Sequence, residues 1–304
     1  MVLAAALGLA LGAGAAILRN IYNRSVEDPD ALEAQFGLPV YVALPASRQQ
    51  KDLDRKKRVD ARRPAVLALT APHDVTVEAL RSLRTSLHVA RARTKDKTLL
   101  ITSPAMGAGK SFVSANLATV FATAGRRVLL MDADMRTGEL HKNFGIMPGF
   151  GLSDILAGTA PGPRDVIYET TVEGLSLLPA GSVPPNPAEL LHTQRFQRFL
   201  GYLGEHYDEI IIDSPPVLPV TDAALIGHIV GTTLLVVRDG VTTTAEIDEA
   251  VKRLSQAGAN LSGVVFNGRR RAPAGYGYGY GYGAYGPRYP APDSARTVNA
   301  DAAS

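Results

Sequence analysis

Short apolar runs, many of them rich in β-branched residues, alternate with segments of helical periodicity along most of the chain. The runs predict strands of a parallel sheet, several of them buried on both faces, at residues 98–102, 127–131, 175–178, 209–212, 233–237 and 264–266. Helical spacing predicts helices at residues 75–92, 188–203 and 246–257, and residues 145–163 are typical of a loop. The alternation predicts one α/β domain, doubly wound around a mostly parallel sheet.

The strand predicted at residues 98–102 leads into a glycine-rich turn and then a helix. The apolar spacing of residues 113–124 predicts the helix, and Gly125 is suited to end it. Glycines in the turn allow the backbone to point its N–H groups inward at the positive end of the helix, where an anion is stabilised. This arrangement predicts a phosphate-binding loop (P-loop) that holds ATP through Gly107, Ala108, Gly109, Lys110 and Ser111.

Two side chains of the P-loop have specific expected roles. Lys110 would reach the β and γ phosphates, and the Ser111 hydroxyl would hold Mg²⁺. The sequence departs from the pattern G-x-x-x-x-G-K-[ST] at one position, because Pro104 stands at the first glycine.

Three acids follow two further predicted strands. Asp132 and Asp134 come after the strand at residues 127–131, and Asp213 comes after the strand at residues 209–212. The carboxyl ends of parallel strands line one crevice, so these acids are expected to meet there with the P-loop. Asp213 suits the Mg²⁺-ordering acid that P-loop proteins carry, while Asp132 and Asp134 could hold metal or accept a proton.

In these motifs, residues 98–267 resemble the bacterial tyrosine kinases of capsule and exopolysaccharide systems. The family's Walker A motif corresponds to Gly109, Lys110 and Ser111, its Walker A′ motif to Asp132, Asp134 and Arg136, and its Walker B motif to Asp213. The resemblance implies a P-loop NTPase-like fold and phosphate transfer from ATP to protein tyrosine, with Lys110, Asp132, Asp134 and Asp213 as catalytic residues.

The resemblance also suggests how these residues divide the chemistry. Asp134 and Asp213 would order Mg²⁺ and Asp132 would accept the tyrosine proton, although either Asp132 or Asp134 fits the role of base. Arg136 would neutralise the transferring phosphate or pair with one of the acids.

Two accessory motifs also resemble this family. Glu78, Arg81 and Arg84 match a helical motif through which its kinase domains contact neighbours in a ring, and residues 184–191 match a segment typical of the family. A local ion pair within the helix is the simpler interpretation of the first motif. The resemblance implies a homo-oligomer, and a phosphotyrosine phosphatase that reverses the modification.

The N-terminal segment has the composition of a membrane span. Residues 1–18 carry no charge, and at about 1.5 Å per residue they extend roughly 27 Å, so residues 1–22 are assigned as a transmembrane helix. Basic residues follow directly, which predicts that the remainder faces the cytoplasm of a single-pass protein in the bacterial inner membrane. A secretory signal peptide is disfavoured because the segment has no basic start.

Residues 23–64 form a predicted juxtamembrane segment and basic linker. Residues 26–45 predict a short capped helix, a glycine stop and a strand, and they resemble the part of polysaccharide co-polymerase kinases that follows their second membrane helix. An extracytoplasmic chain-length domain precedes that helix in such kinases, so either this chain is a fragment or a separate membrane activator carries the domain. Residues 48–63, with eight basic residues and three acids, predict a solvated linker that could also bind anionic lipid headgroups.

The kinase domain is assigned to residues 65–268 and a Tyr-rich tail to residues 269–304. The tail is too rich in glycine to fold alone and is predicted to be disordered. It contains six of the eleven tyrosines of the chain. By resemblance these are sites of autophosphorylation in trans, namely Tyr276, Tyr278, Tyr280, Tyr282, Tyr285 and Tyr289.

Composition excludes several other classes of site. The chain has no cysteine, so it contains neither a disulfide nor a thiolate metal site, and its six histidines include no H-x-x-x-H pair. The net charge of +3 favours no partner. Binding of nucleic acid is not expected, because no aromatic residues are interleaved with the basic segment.

Two alternative functions fit parts of the sequence. An ATPase of the partitioning and division-site type shares the expected fold, but that group carries a lysine where this chain has Ala105, and it lacks a Tyr-rich tail. A non-catalytic scaffold for polysaccharide assembly, stabilised by a bound nucleotide, is the other alternative and is consistent with Pro104.

Overall fold

A computed structural model of the protein describes residues 25–59, 64–91 and 96–269 of the 304-residue chain. The predicted membrane helix at residues 1–22 and the six predicted phosphoacceptor tyrosines lie outside these ranges. Within the described ranges, no helix has the length and apolar character needed to span a bilayer.

Eight strands form one sheet in the order β1-β8-β7-β2-β6-β3-β5-β4. All neighbouring strands are parallel except β4 and β5, which are antiparallel, so the prediction of a mostly parallel sheet is confirmed. The strands are β1 (Val40–Pro45), β2 (Thr98–Thr102), β3 (Val128–Asp132), β4 (Tyr168–Glu169), β5 (Leu175–Leu178), β6 (Glu209–Asp213), β7 (Thr232–Arg238) and β8 (Leu261–Arg269).

Helices cover both faces of this sheet in the described chain. They are α1 (Pro29–Phe36), α2 (Arg48–Val59), α3 (Leu67–Thr70), α4 (Val75–Ala90), α5 (Lys110–Ala122), α6 (Leu152–Ala157), α7 (Pro187–Leu191), α8 (Gln194–His206), α9 (Asp222–Ile229) and α10 (Thr244–Gln256). Short 3₁₀ turns occur at Leu140–Asn143 and Pro163–Asp165.

Successive side chains of the central strands enter different layers of the core. Leu99 and Ile101 of β2 pack on one face with residues of α4 and α5, whereas Leu100 packs on the other face with residues of α8 and α9. A strand that is apolar at every position can bury both faces only between two helix layers, which explains the doubly wound arrangement. The carboxyl ends of β2, β3 and β6 consequently lie side by side at one edge of the sheet.

Several predicted boundaries differ from the structure at the N-terminal side of the domain. The sequence placed the start of the kinase domain at residue 65, yet β1 pairs with β8 and belongs to the same sheet. Residues 48–59, predicted as a linker, form α2, where Leu53 packs against the core. The predicted helix stop at Gly37 is confirmed, since this residue has a φ of 64°.

Other boundaries differ in the second half of the chain. The helix predicted at residues 188–203 is divided into α7 and α8, because the Thr193 hydroxyl caps a new helix by accepting from the N–H of Phe196. Residues 145–163, predicted as loop, contain α6. The P-loop helix ends at Ala122, and the following turn closes with the N–H of Gly125 on Ala122 O.

Candidate active site

The P-loop joins the carboxyl end of β2 to the amino end of α5, as the sequence predicts. Gly107 and Gly109 have φ of 81° and 94°, a region that glycine adopts without strain. Gly109 is the N-cap of α5, and no side chain caps the helix there. The first N–H groups of α5 are therefore not engaged by a capping side chain, and the positive end of the helix suits an anion such as phosphate.

The lysine of the P-loop lies among carboxylates. Lys110 Nζ is 3.6 Å from Asp134 Oδ2 and 3.4 Å from the Ser111 hydroxyl oxygen. Burial by itself would lower the pKa of Lys110, but the charges of Asp213, Asp134 and Asp132 outweigh it and raise the pKa. The ammonium group therefore remains charged at neutral pH.

Asp213 ends β6 between the P-loop strand and β3. Its register partners are Ile101 on β2 and Asp132 on β3, and its Oδ1 accepts a hydrogen bond of 3.0 Å from the Ser114 hydroxyl. Burial raises the pKa of Asp213, while Lys110 and the neighbouring hydroxyl groups oppose that increase. The predicted proximity of Asp213 to the P-loop is confirmed.

Asp132 is almost completely buried, with 1% of its surface exposed. Its carboxylate accepts hydrogen bonds from the N–H groups of Asp134, at 3.2 Å, and Leu140, at 3.0 Å. Burial raises the pKa of Asp132 to about 8, and the charge of Asp213 acts in the same direction. A carboxyl group with this pKa is suited to exchange a proton near neutral pH.

Asp134 is held in place by the turn that follows it. Its Oδ1 accepts from the N–H groups of Thr137, at 3.0 Å, and Arg136, at 3.3 Å, and its Oδ2 accepts from the Thr137 hydroxyl at 3.1 Å. The same Oδ2 faces Lys110. Asp134 therefore joins the turn after β3 to the P-loop.

Arg136 was expected to neutralise the transferring phosphate or to pair with Asp132, Asp134 or Asp213. The second expectation is wrong, because Arg136 pairs with a different acid. The Arg136 side chain binds Asp222 at the start of α9, with Nε 3.1 Å from Oδ2 and Nη2 3.2 Å from Oδ1. Asp222 is fully buried. No local pattern distinguishes Asp222 from an ordinary acid in the first turn of a helix, and only the fold brings it to Arg136.

The three residues of the predicted oligomer contact have different surroundings on α4. Arg81 pairs with Glu78 one turn away, as the simpler interpretation expects. Arg84 is half-buried, and its Nη1 donates to Val120 O in the last turn of α5. This set of residues is thus partly engaged within the domain, and its role in assembly stays a prediction.

The site residues are hard oxygen donors of the kind that Mg²⁺ prefers. Ser111, Asp134 and Asp213 supply one hydroxyl and two carboxylates, a set that leaves further coordination positions for water or phosphate. Among the described residues, no group of three or more His, Cys, Asp or Glu side chains is arranged to hold a metal by itself. The donor set therefore suits a cation that arrives with a phosphate ligand.

Comparison with known proteins identifies relatives of this site and fold. Residues 97–228 match the protein family described as an AAA domain. Tyrosine-protein kinase wzc of Salmonella typhi is 41% identical over 274 residues, which cover 89% of this chain and 38% of that protein. The chain thus spans well under half of the length of this curated relative.

Two solved kinase domains are similar over their whole length. The BceF tyrosine kinase domain is 46% identical with a TM-score of 0.75, covering 81% of this chain and 100% of that domain. The kinase domain of Escherichia coli tyrosine kinase ETK is 42% identical with a TM-score of 0.75, covering 84% of this chain and 100% of that domain. On these similarities, the chain belongs to the bacterial tyrosine kinase family.

Proposed function

We propose that this chain is an ATP-dependent protein-tyrosine kinase that phosphorylates its own C-terminal tyrosines in trans. One observation carries the proposal, namely that Lys110, Asp134 and Asp213 lie together beneath a P-loop whose helix end is free of a capping side chain. This combination supplies a phosphate site, a cation and metal-binding carboxylates in one crevice.

ATP fits this site through its phosphates. The N–H groups of residues 107–111 and the Lys110 ammonium would hold the phosphate chain, while Ser111, Asp134 and Asp213 would hold Mg²⁺. When bound, ATP and Mg²⁺ supply a phosphoryl group whose negative charge is partly neutralised. Lys110 adds a positive charge that the protein keeps fixed at the same place.

The acceptor phenol needs a space beside these acids. A cleft of about 410 Å³ borders the turn after β3, and its lining includes Met135, Thr137, Gly138, Ala180 and Val183. Gly138 lies against the acids, since a Cβ at this residue would be 2.8 Å from Asp132 Oδ2. The volume of the cleft is sufficient for a tyrosine ring, and its lining is mixed, because Arg136 and Glu139 border it together with the apolar side chains.

A tyrosine hydroxyl has a pKa near 10 and is a poor nucleophile at neutral pH, so a neighbouring base assists it. Asp132 is our candidate for this base in its deprotonated form, because a pKa of about 8 makes its carboxylate a stronger proton acceptor than that of an exposed aspartate. Asp132 is buried by the turn that contains Gly138, so the phenol would reach it only after this turn shifts. Asp134, which is also buried and is held by the same turn, is the alternative base.

The wider context of the protein is also part of the proposal. The family resemblance and the similarity to wzc support a role in capsular or exopolysaccharide polymerisation and export. We place the kinase domain on the cytoplasmic side of the bacterial inner membrane, anchored by residues 1–22. Its proposed partners are further copies of itself in a ring, a membrane activator with a chain-length domain, and a phosphotyrosine phosphatase.

The proposal is tested by incubating the full chain with Mg²⁺ and ATP and mapping phosphate by mass spectrometry. We expect phosphotyrosine among residues 276–289, and far less of it after the same incubation of Lys110→Met. Release of free phosphate without any phosphotyrosine would instead identify a simple ATPase. Absence of any Mg²⁺-dependent nucleotide binding would exclude both activities.

A further inference from the structure

Two side chains from β7 and β8 hold the outer surface of the P-loop. Asn267 Nδ2 donates to Ala108 O at 2.8 Å, and Arg238 Nη1 donates to Gly107 O at 2.9 Å. Two consecutive carbonyl groups of the loop are thus bound by side chains that belong to none of the P-loop, Walker A′ or Walker B motifs.

The sheet places these two residues together. Arg238 and Asn267 are register partners at the carboxyl ends of adjacent parallel strands, so their side chains leave the sheet on the same side. The N–H of Asp239 also donates to Asn267 O at 3.0 Å, which ties Asn267 to β7 by its backbone. Asn267 is 7% exposed, and its side chain therefore has a fixed position.

Planarity of the peptide bond converts these contacts into an orientation for the loop. In a trans peptide the C=O of one residue and the N–H of the next point in opposite directions. Because Gly107 O and Ala108 O are drawn toward β7 and β8, the N–H groups of Ala108 and Gly109 point away from these strands. These two N–H groups are among those that a phosphate would contact in the loop.

The glycine at position 109 fits the same arrangement. A Cβ there would lie 2.2 Å from Asn267 Nδ2, so the amide of Asn267 occupies the space that any other residue would need. The loop is shaped from outside by Asn267 and Arg238 rather than by its glycines alone.

We propose that Asn267 and Arg238 are positioning residues that hold the P-loop with its N–H groups directed toward the nucleotide phosphates. This inference rests on the proposed nucleotide site and adds two residues to it. Neither residue needs to touch the reacting atoms, because each acts through a backbone carbonyl of the loop.

The test compares the affinities of the full chain for ADP and for adenosine. ADP binding is measured by titration calorimetry in the presence of Mg²⁺. Adenosine, which is expected to bind more weakly, is measured by ligand-observed NMR. Asn267→Ala and Arg238→Ala should each weaken ADP binding about tenfold, since each leaves one loop carbonyl without its donor. Adenosine affinity should change less than twofold, because adenosine has no phosphate. Amide hydrogen exchange of residues 105–109 should be faster in both variants without any ligand.

Matched controls remove a similar contact elsewhere in the domain. Asn260→Ala removes a side-chain donor from Gly231 O, and Arg253→Ala removes one from Leu218 O. Both controls should bind ADP like the unchanged protein. If Asn267→Ala does not fold, Arg238→Ala decides the question, because Arg238 is only partly buried.

Two results would overturn the inference while leaving the proposed function in place. One is ADP binding within twofold of the unchanged protein in both variants, and the other is an equal loss of ADP and adenosine binding. Failure of the unchanged protein to bind ADP would instead contradict the proposed function, and the positioning role with it.

Discussion

Asp132 and Asp213 are register partners at the ends of β3 and β6, and both carboxyl groups are buried. Two acids on neighbouring strand ends repel each other when both are charged, and Lys110 is the cation that lies beside them. Burial and mutual repulsion raise the pKa of Asp132 to about 8. The site therefore holds a proton that an exposed aspartate would have lost.

This elevated pKa predicts a pH-dependent stability. The pKa of Asp132 is about 8 in the folded state and near 4 in the unfolded chain, so between these values the folded state binds more protons. Its contribution to stability is therefore greatest below pH 4 and is lost as the pH rises toward 8. Relative to Asp132→Asn, the unchanged protein should lose about 2–4 kcal/mol between pH 5 and pH 9.

Urea unfolding of both proteins at several pH values, with a metal chelator and without nucleotide, measures this difference. Asp165→Asn is the control, because it makes the same substitution at an exposed position. A difference between Asp132→Asn and the unchanged protein that is constant across this range would contradict a raised pKa for Asp132.

Most of the active site could be predicted because its residues are coupled to strand ends. An apolar run followed by an acid identifies both the strand and the edge at which the acid lies, which correctly grouped Asp132, Asp134 and Asp213 with Lys110. The alternation of apolar runs and helical segments likewise predicts the parallel sheet. A local sequence pattern is sufficient to place a functional residue wherever that residue is adjacent to its strand in the sequence.

The features that sequence did not predict depend on contacts between distant segments. Asp222 is 86 positions from Arg136, and Asn267 is 159 positions from the carbonyl of Ala108 that it binds. No local pattern encodes such pairs. Similarly, β1 belongs to the sheet only because β8 lies beside it, so its inclusion in the domain could not be inferred from residues 40–45 alone.

The pair of Arg136 and Asp222 should stabilise the loop after β3. Removing Arg136 leaves a fully buried carboxylate without its partner, so Arg136→Ala should cost about 2–4 kcal/mol of unfolding free energy. The double variant Arg136→Met with Asp222→Leu should recover most of this loss, because no buried charge remains. Arg253→Ala, which removes an exposed pair with Glu249, should cost less than about 1 kcal/mol.

Chemical denaturation of the four proteins provides the measurement. The Arg136→Ala variant should also retain ADP binding, since the Arg136 side chain pairs with Asp222 of α9. If the double variant were as unstable as Arg136→Ala, the loss would come from packing rather than from the unpaired charge.

Lys110 should be required for phosphotransfer because it is the cation within the cluster of acids. Lys110→Met should reduce the rate of tyrosine phosphorylation by about 10²–10³-fold, the usual effect of removing one group that stabilises developing charge. Lys142→Met is the matched control, since Lys142 is partly exposed and pairs with Glu139 away from the three acids. Rates measured with labelled ATP that differ less than tenfold between the two variants would remove Lys110 from the mechanism.

The two arginines of α4 should separate assembly from stability. Arg81 is partly exposed and makes a local pair, so Arg81→Ala should weaken oligomers while changing the unfolding free energy by less than about 0.5 kcal/mol. Arg84 donates to the carboxyl end of α5, so Arg84→Ala should lose about 1 kcal/mol of stability as well. Sedimentation velocity and urea unfolding measure the two effects, with Arg198→Ala, at an exposed position of α8, as control. Unchanged oligomers in both variants would place the subunit contact elsewhere.

Phosphorylation of the tail should oppose assembly by charge repulsion. Six phosphotyrosines would add on the order of −10 charges to each subunit, which reverses the net charge of +3. Tails that converge on one ring would then repel one another over a Debye length of about 10 Å at 0.1 M salt. Phosphorylated protein should therefore be smaller by light scattering than phosphatase-treated protein in low salt, and the difference should shrink in about 1 M salt. A variant with Phe in place of all six tail tyrosines should stay assembled after incubation with ATP. If that variant dissociates, repulsion between phosphorylated tails is not the cause of disassembly.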